Sequence, residues 1–337
     1  MNFWDREKEI RDLKRHIESE PNAILFVYGP KSSGKSTLLD YVIKEIKKEK
    51  KHLFAKKYQI YWFDLRGKFL PNYESVMDIF FSKKKSTKKQ KASAIELQEP
   101  IFKSFKVSAS IYKEIKDKEI DPFEYIEEKI RKSGKRTVIV FDEIQRLKEI
   151  YINGQRKVVD AFLNFFVRLT KVLHLAHVIV MSSDTFFIEE VYSDSALKNT
   201  SRYYLVDFFD DETAYSILVN EGIDEKTAKE IVDKAGGVPW ILEEIVESDE
   251  PIQTLKELCK ETKAKLENFL LEYAKEEEAK KVLNEILEGR NKPVKRNIKI
   301  IKDLVEKEIL FYDPINVNVR FQTRLDKIAA KEILSDK

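Results

Sequence analysis

Apolar positions along this chain fall into two patterns. Ala23–Tyr28 (AILFVY) is a short unbroken apolar run, and similar runs recur at Gln59–Asp64, Thr137–Phe141, Val178–Met181 and Tyr203–Val206. Runs of that length read as strands buried on both faces. Between them, apolar residues recur every three or four positions. Ile10, Leu13 and Ile17 share one face of residues 5–19, and Leu38, Leu39, Val42, Ile43 and Ile46 follow the first strand. Those segments read as helices. Asp121-Pro122-Phe123-Glu124 opens another, with an N-cap, a proline at the first turn and a capping-box Glu. Strands alternating with helices predict an α/β fold with a parallel sheet covered on both faces.

The pattern changes after Asp207. Residues 210–248 read as short helices broken at Gly222 and at Gly236-Gly237-Val238-Pro239, and 254–288 as long helices. A further helix is expected over 294–309, bounded by Pro293 and Pro314. Two strands, Ile309–Tyr312 and Val317–Gln322, follow around a turn. Helix, helix, hairpin is the layout of a winged helix. The expected organisation is a core over 1–208 with an insertion at about 66–120, a helical segment over 209–250, and a winged helix over 251–337. No internal repeat is visible.

Composition narrows the class. A chain of 337 residues exceeds one compact core. Charged residues are 36% and apolar residues 42%, yet 62 basic against 59 acidic side chains leave a net charge of only +3. Bulk charge therefore does not argue for nucleic acid, and any basic site must be local. The single cysteine, Cys259, excludes an intrachain disulfide and is expected as a small buried residue on a helix. No apolar run reaches membrane-spanning length, so a cytoplasmic location without membrane contact is expected. Residues 82–91 contain six lysines, at 83, 84, 85, 88, 89 and 91, and read as a solvated loop. Abundant Lys, Glu and Ile resemble the composition of heat-adapted proteomes.

The chemistry is carried by a few spacings. Gly29-Pro30-Lys31-Ser32-Ser33-Gly34-Lys35-Ser36, followed by Thr37, matches the phosphate-binding pattern G-x-x-x-x-G-K-[ST] between a strand and a helix. Glycines let backbone amides curl around phosphates, and the helix N-terminus faces the same anion. Lys35 is expected on the β- and γ-phosphates, and the Ser36 hydroxyl on Mg²⁺. Asp142-Glu143 end an apolar strand, at the sheet edge where such folds bind ligands. Asp142 is expected to hold Mg²⁺ through water, and Glu143 to orient or deprotonate the attacking water. The strand 178–181 ends in Ser182-Ser183-Asp184, where Ser183, with Ser182 beside it, is expected between the γ-phosphate and that water. Helix capping is the plainer role for these residues.

Taken together, the phosphate loop, Val140-Phe141-Asp142-Glu143, the serine-ended strand and Gly237-Val238-Pro239 resemble the archaeal ATPase family, within the STAND branch of AAA+ proteins. The opening Phe3-Trp4-Asp5-Arg6-Glu7-Lys8-Glu9-Ile10 is similar to that family's F-x-x-R-E-x-E-L, differing conservatively at the last position. The resemblance covers nearly the whole chain. It implies ATP with Mg²⁺ as cofactors, a sheet in the order 5-1-4-3-2, a helical lid over 209–250 and a terminal winged helix. It also implies Arg6 and Glu7 near the adenine or the domain hinge, and Pro239 against the base. Ser182 stands where the family often has Gly. No arginine finger is evident; Arg202, placed by the sequence before the fifth strand, is the best candidate.

Three functions are therefore expected in competition. The first is an ATP-driven conformational switch with slow hydrolysis, alternating between ATP and ADP and working on a protein partner or by self-association. The second is a DNA-binding ATPase of replication, repair or mobile elements. Arg290, Lys292, Lys295, Arg296, Lys299 and Lys302 form a basic run without an acidic residue. Lys295, Arg296 and Lys299 would meet a duplex, Asn297 would reach a base edge, and Arg320 and Arg324 would make a basic wing. The third is a scaffold that holds nucleotide without cleaving it.

Overall fold

The structure is a computed structural model that describes residues 6–83, 101–102, 104–152, 154–195 and 197–335. Its centre is a six-stranded parallel sheet. From one edge to the other the strands are Ser201–Leu205, Ile24–Tyr28, Ala176–Ser182, Arg136–Asp142, Tyr58–Asp64 and the short Ile101–Phe102. Alternate side chains of each strand enter two separate cores. Leu25, Val27, Val138, Val140, Ile179 and Met181 pack beneath the helices Glu7–Glu18 and Lys35–Lys50. Leu38, Leu39, Val42, Ile43 and Ile46 of the second helix are all buried there, each contributing about 1.5–3 kcal/mol.

The opposite face is aromatic. Phe63 stacks on Phe141 at 5.2 Å between ring centroids, and Phe80 meets Phe162 at 4.6 Å. Phe80 belongs to the region after the second strand, where an insertion is expected at about 66–120. There, the helix Tyr73–Phe80, the paired short strands Phe81–Lys83 and Phe105–Val107, and the helix Ala109–Lys116 bury Val76, Met77, Phe81, Phe105 and Ile115 against the sheet. The region is part of the core. Of the lysine run over 82–91, only Lys83 lies within the described residues, as do Arg6 and the residues after it in the opening motif.

Asp121 caps the helix Pro122–Ser133 by accepting from the amides of Phe123 and Glu124. After the sheet come the helices Asp211–Asn220, Glu225–Ala235 and Pro239–Val246, which share a core built on Leu218, Ile231 and Leu242. The helices Pro251–Glu272, Glu276–Leu287 and Ile298–Glu306, the antiparallel pair Leu310–Asp313 with Asn318–Phe321, and the helix Arg324–Ser335 follow. They enclose a core including Leu266, Leu283, Leu304 and Tyr312.

Several expectations for this last part are corrected. The helix expected from 294 begins at Ile298, because Val294–Asn297 is a turn closed by Asn297 Oδ1, which accepts from the Val294 amide at 2.8 Å. Asn297 is therefore buried and committed, and does not face a base edge. Cys259, expected buried, is half-buried on its helix. Arg320 pairs with Asp207, and Arg324 with Asp211 and the Val232 carbonyl. The basic wing is spent on the rest of the chain. No helix among the described residues is long and apolar enough to cross a membrane.

Candidate nucleotide site

The strands align so that Tyr28, Ser182, Asp142 and Asp64 end at one edge of the sheet. The turn after Tyr28 needs glycine. Gly29 sits at φ 151°, and a Cβ there would stand 2.2 Å from the Val206 carbonyl oxygen. The chain then wraps into the helix from Lys35. A cleft of about 410 Å³ opens over this turn, lined along the loop by Lys31 through Thr37. That size suits a small-molecule ligand.

Lys35 is buried and donates to the carbonyls of Gly29 at 3.1 Å and Pro30 at 2.8 Å. Burial pulls its ammonium down to about 8, against the raising influence of Glu143 and Asp142. Ser36 Oγ donates to Asp142 Oδ2 at 2.7 Å. Asp142 is 3% exposed, and burial raises its carboxyl above the ordinary range despite that bond. Its Oδ1, and Ser33 Oγ in the loop, are buried without a hydrogen-bond partner among the described residues. A bound ion or ligand would give both atoms the partner that buried polar groups ordinarily have. A serine hydroxyl and a carboxylate are the hard oxygen donors that Mg²⁺ takes.

Glu143 stands one residue further, in the left-handed region at φ 63°, a strained conformation for a residue with a side chain. Its amide donates to the Met181 carbonyl. Its carboxylate accepts from Gln145 Nε2 at 2.5 Å and from Ser183 Oγ at 3.2 Å. Ser182 is buried and donates to Gln145 Oε1 at 3.0 Å. Both serines thus act on one carboxylate, Ser183 directly and Ser182 through Gln145. Gln145 carries no motif signal and escaped the sequence reading.

Arg6 is buried. It donates to the carbonyls of Ser33 at 2.7 Å and Asp207 at 2.9 Å, and lies 4.6 Å over the Phe209 ring. It therefore ties the loop to the first residues after the sheet. Pro239, Trp240 and Phe209 give the cleft an apolar wall. Phe209 and Gly237 pair backbone to backbone, and a Cβ on Gly237 would lie 2.1 Å from the Phe209 oxygen. The aromatic pair flanking the G-x-P element had no periodic signature. Arg66, also unanticipated, lines the cleft and donates to Asp142 Oδ2 at 2.9 Å.

Two expected residues do not line the cleft, the exposed Glu7 and Arg202. Arg202 lies within the strand Ser201–Leu205, beside Leu25 and close enough to His16 to affect its charge. That is the amino-terminal half of the strand, and Arg202 does not line the cleft.

Residues 3–245 match a family described as an ATPase domain predominantly from Archaea. An uncharacterized ATP-binding protein of Methanocaldococcus jannaschii is 36% identical, the match covering 99% of this chain and 95% of that one. Among solved structures, a Walker-type ATPase of Pyrococcus abyssi matches with a TM-score of 0.62 at 16% identity, over 98% and 96% of the two chains. The ORC2 protein of Aeropyrum pernix, in complexes with ADPNP and ADP, matches with a TM-score of 0.52 at 10% identity, over 99% and 95%. At those identities the two structures speak to fold alone.

Proposed function

As the chain belongs to the family of ATPase domains found predominantly in Archaea, we propose that it is a Mg²⁺-dependent ATPase working as a nucleotide-driven conformational switch. In this reading the loop amides and Lys35 hold the phosphates, and Ser36 and Asp142 hold the metal. Mg²⁺ supplies charge neutralisation on the phosphate oxygens. Glu143 orients a water and accepts its proton, while Ser183 and Gln145 fix the carboxylate. Pro239, Trp240 and Phe209 bracket the base. Residues 209–250 serve as the lid and 251–337 as a winged helix used for internal docking.

The observation that carries the switch is the attachment of the carboxy-terminal module to the loop itself. Lys31, inside the phosphate loop, pairs with Glu308. The Tyr28 hydroxyl, one residue before the loop, donates to Asp313 Oδ1 at 2.9 Å. A ligand that repositions the loop must act on these contacts.

ATP turnover by the purified protein, with Lys35→Ala and Glu143→Gln as controls, tests the reading. A slow rate abolished by both changes supports it; a rate indifferent to Glu143→Gln favours a holder of nucleotide instead. Duplex DNA is the second reading. It is favoured by the exposure of Lys292, Lys295 and Lys299 around the turn before Ile298, although Arg290 and Arg296 pair with Glu288 and Glu285. Adding duplex to the same assay decides it. Stimulation that fades with salt and with Lys295→Glu/Lys299→Glu supports DNA contact.

A further inference from the structure

Arg66 is held by its surroundings in the place where charge is handled. Leu65 is buried, and its amide extends the pairing of the second strand by donating to the Asp142 carbonyl at 3.0 Å. Asp64 turns the chain by accepting from the Arg66 amide at 2.8 Å. Arg146, just past Glu143, donates to the Lys68 carbonyl at 3.1 Å and pins the loop that follows. The backbone at Arg66 is therefore fixed, while its side chain is 60% exposed and able to move.

The guanidinium lies 2.9 Å from Asp142 Oδ2, 3.3 Å from Ser36 Oγ and 4.0 Å from Glu143 Oε1. It sits on the same oxygen pair that fits Mg²⁺. A divalent cation held by Asp142, directly or through water, would set its charge close against the guanidinium, and that repulsion disfavours the arginine where it lies. Arg66 already lies 3.3 Å from the Ser36 hydroxyl, so a phosphate held at the start of that helix would fall within a side-chain rotation of Arg66. A planar guanidinium favours phosphate, which it binds through two parallel hydrogen bonds.

We propose that Arg66 is a cis-acting arginine for the terminal phosphate, which neutralises Asp142 before Mg²⁺-nucleotide binds and passes to the phosphate when the metal takes its place. The proposal rests on the reading of the cleft as an ATP site. It gives this chain an internal charge for the terminal phosphate, in the cleft that Arg202 does not reach. Arg66 then distinguishes a triphosphate from a diphosphate, because ADP lacks the group it grips.

The test is calorimetric titration of ATP and of ADP with Mg²⁺ into the full chain carrying Glu143→Gln, with and without Arg66→Ala. Blocking hydrolysis keeps the ATP intact during titration. Loss of one charge-assisted contact should lower the ATP-to-ADP affinity ratio by about tenfold or more. Retained ADP affinity in the Arg66→Ala protein certifies its fold. An unchanged ratio overturns the role of Arg66 while leaving the ATP site intact. If neither nucleotide binds to the parent protein, the site reading falls first and the assignment of Arg66 with it.

Discussion

Glu143 is held at φ 63° with two neutral donors on its carboxylate, an arrangement that aims one oxygen pair rather than stabilising a fold. Glu143→Gln should keep nucleotide affinity and reduce turnover by about a hundredfold or more, read as single-turnover rates beside binding constants. Gly237 answers to sterics. Gly237→Ala pushes a methyl group into the Phe209 carbonyl and should cost about 1–3 kcal/mol; an unchanged urea midpoint would refute the contact. His177 is fully buried, and its ring is pushed down to about 3, chiefly by burial and then by the neighbouring charges of His16 and Arg136. Its folded value lies below the unfolded one, so the unfolded chain takes up more protons as pH drops below about 6.5. Stability is then lost on acidification, by about 2 kcal/mol at pH 5 from this group. Thermal melts at pH 7 and pH 5 should show a smaller difference in His177→Gln than in the wild type. Equal differences would contradict the linkage.

Among the elements, a buried hydrogen bond joins the strand Ile24–Tyr28 to the hairpin strand Leu310–Asp313. The Tyr28 hydroxyl is buried against Asp313, and burial, followed by that carboxylate, raises it well above the ordinary tyrosine range. Tyr28→Phe together with Glu308→Ala removes both ties to the loop region. Limited proteolysis should then cut between the sheet and residue 251 faster than in the wild type, and equal rates would show that the ties carry no constraint. The strands and the phosphate loop were legible because both depend on local pattern: continuous apolar runs, and glycines at fixed spacing. The helix start at Ile298 was not, since an Asn297 side chain closing a turn looks in sequence like one more polar position. Arg66 and Gln145 were missed for a related reason. Asp142 lies 76 residues from Arg66 and Ser182 lies 37 from Gln145, distances that no periodicity encodes, and the bond from Gln145 to Glu143 falls at a left-handed turn that no motif marks. Arg320 and Arg324 misled in the opposite direction: charge was visible, but their acidic partners Asp207 and Asp211 lie 113 residues off in each case.

Across the whole molecule, Asp207 and the loop form a shared junction. Arg6 bridges the Ser33 and Asp207 carbonyls, while the Asp207 carboxylate takes Arg320 from the carboxy-terminal hairpin. The phosphate loop, the first residues after the sheet and the terminal module therefore meet within one set of hydrogen bonds. Lys31 and Glu308 give the phosphate loop a direct contact with the far module. In the proposed switch, the sheet, residues 209–250 and the terminal module would move as one body while those ties hold and as two once they are released. Small-angle X-ray scattering on the Glu143→Gln protein with Mg²⁺, compared between ATP and ADP, tests this most directly. Two distinct profiles that differ in radius of gyration are expected, with the difference abolished by Lys35→Ala. Superimposable profiles for ATP and ADP, with both nucleotides shown to be bound, would contradict it.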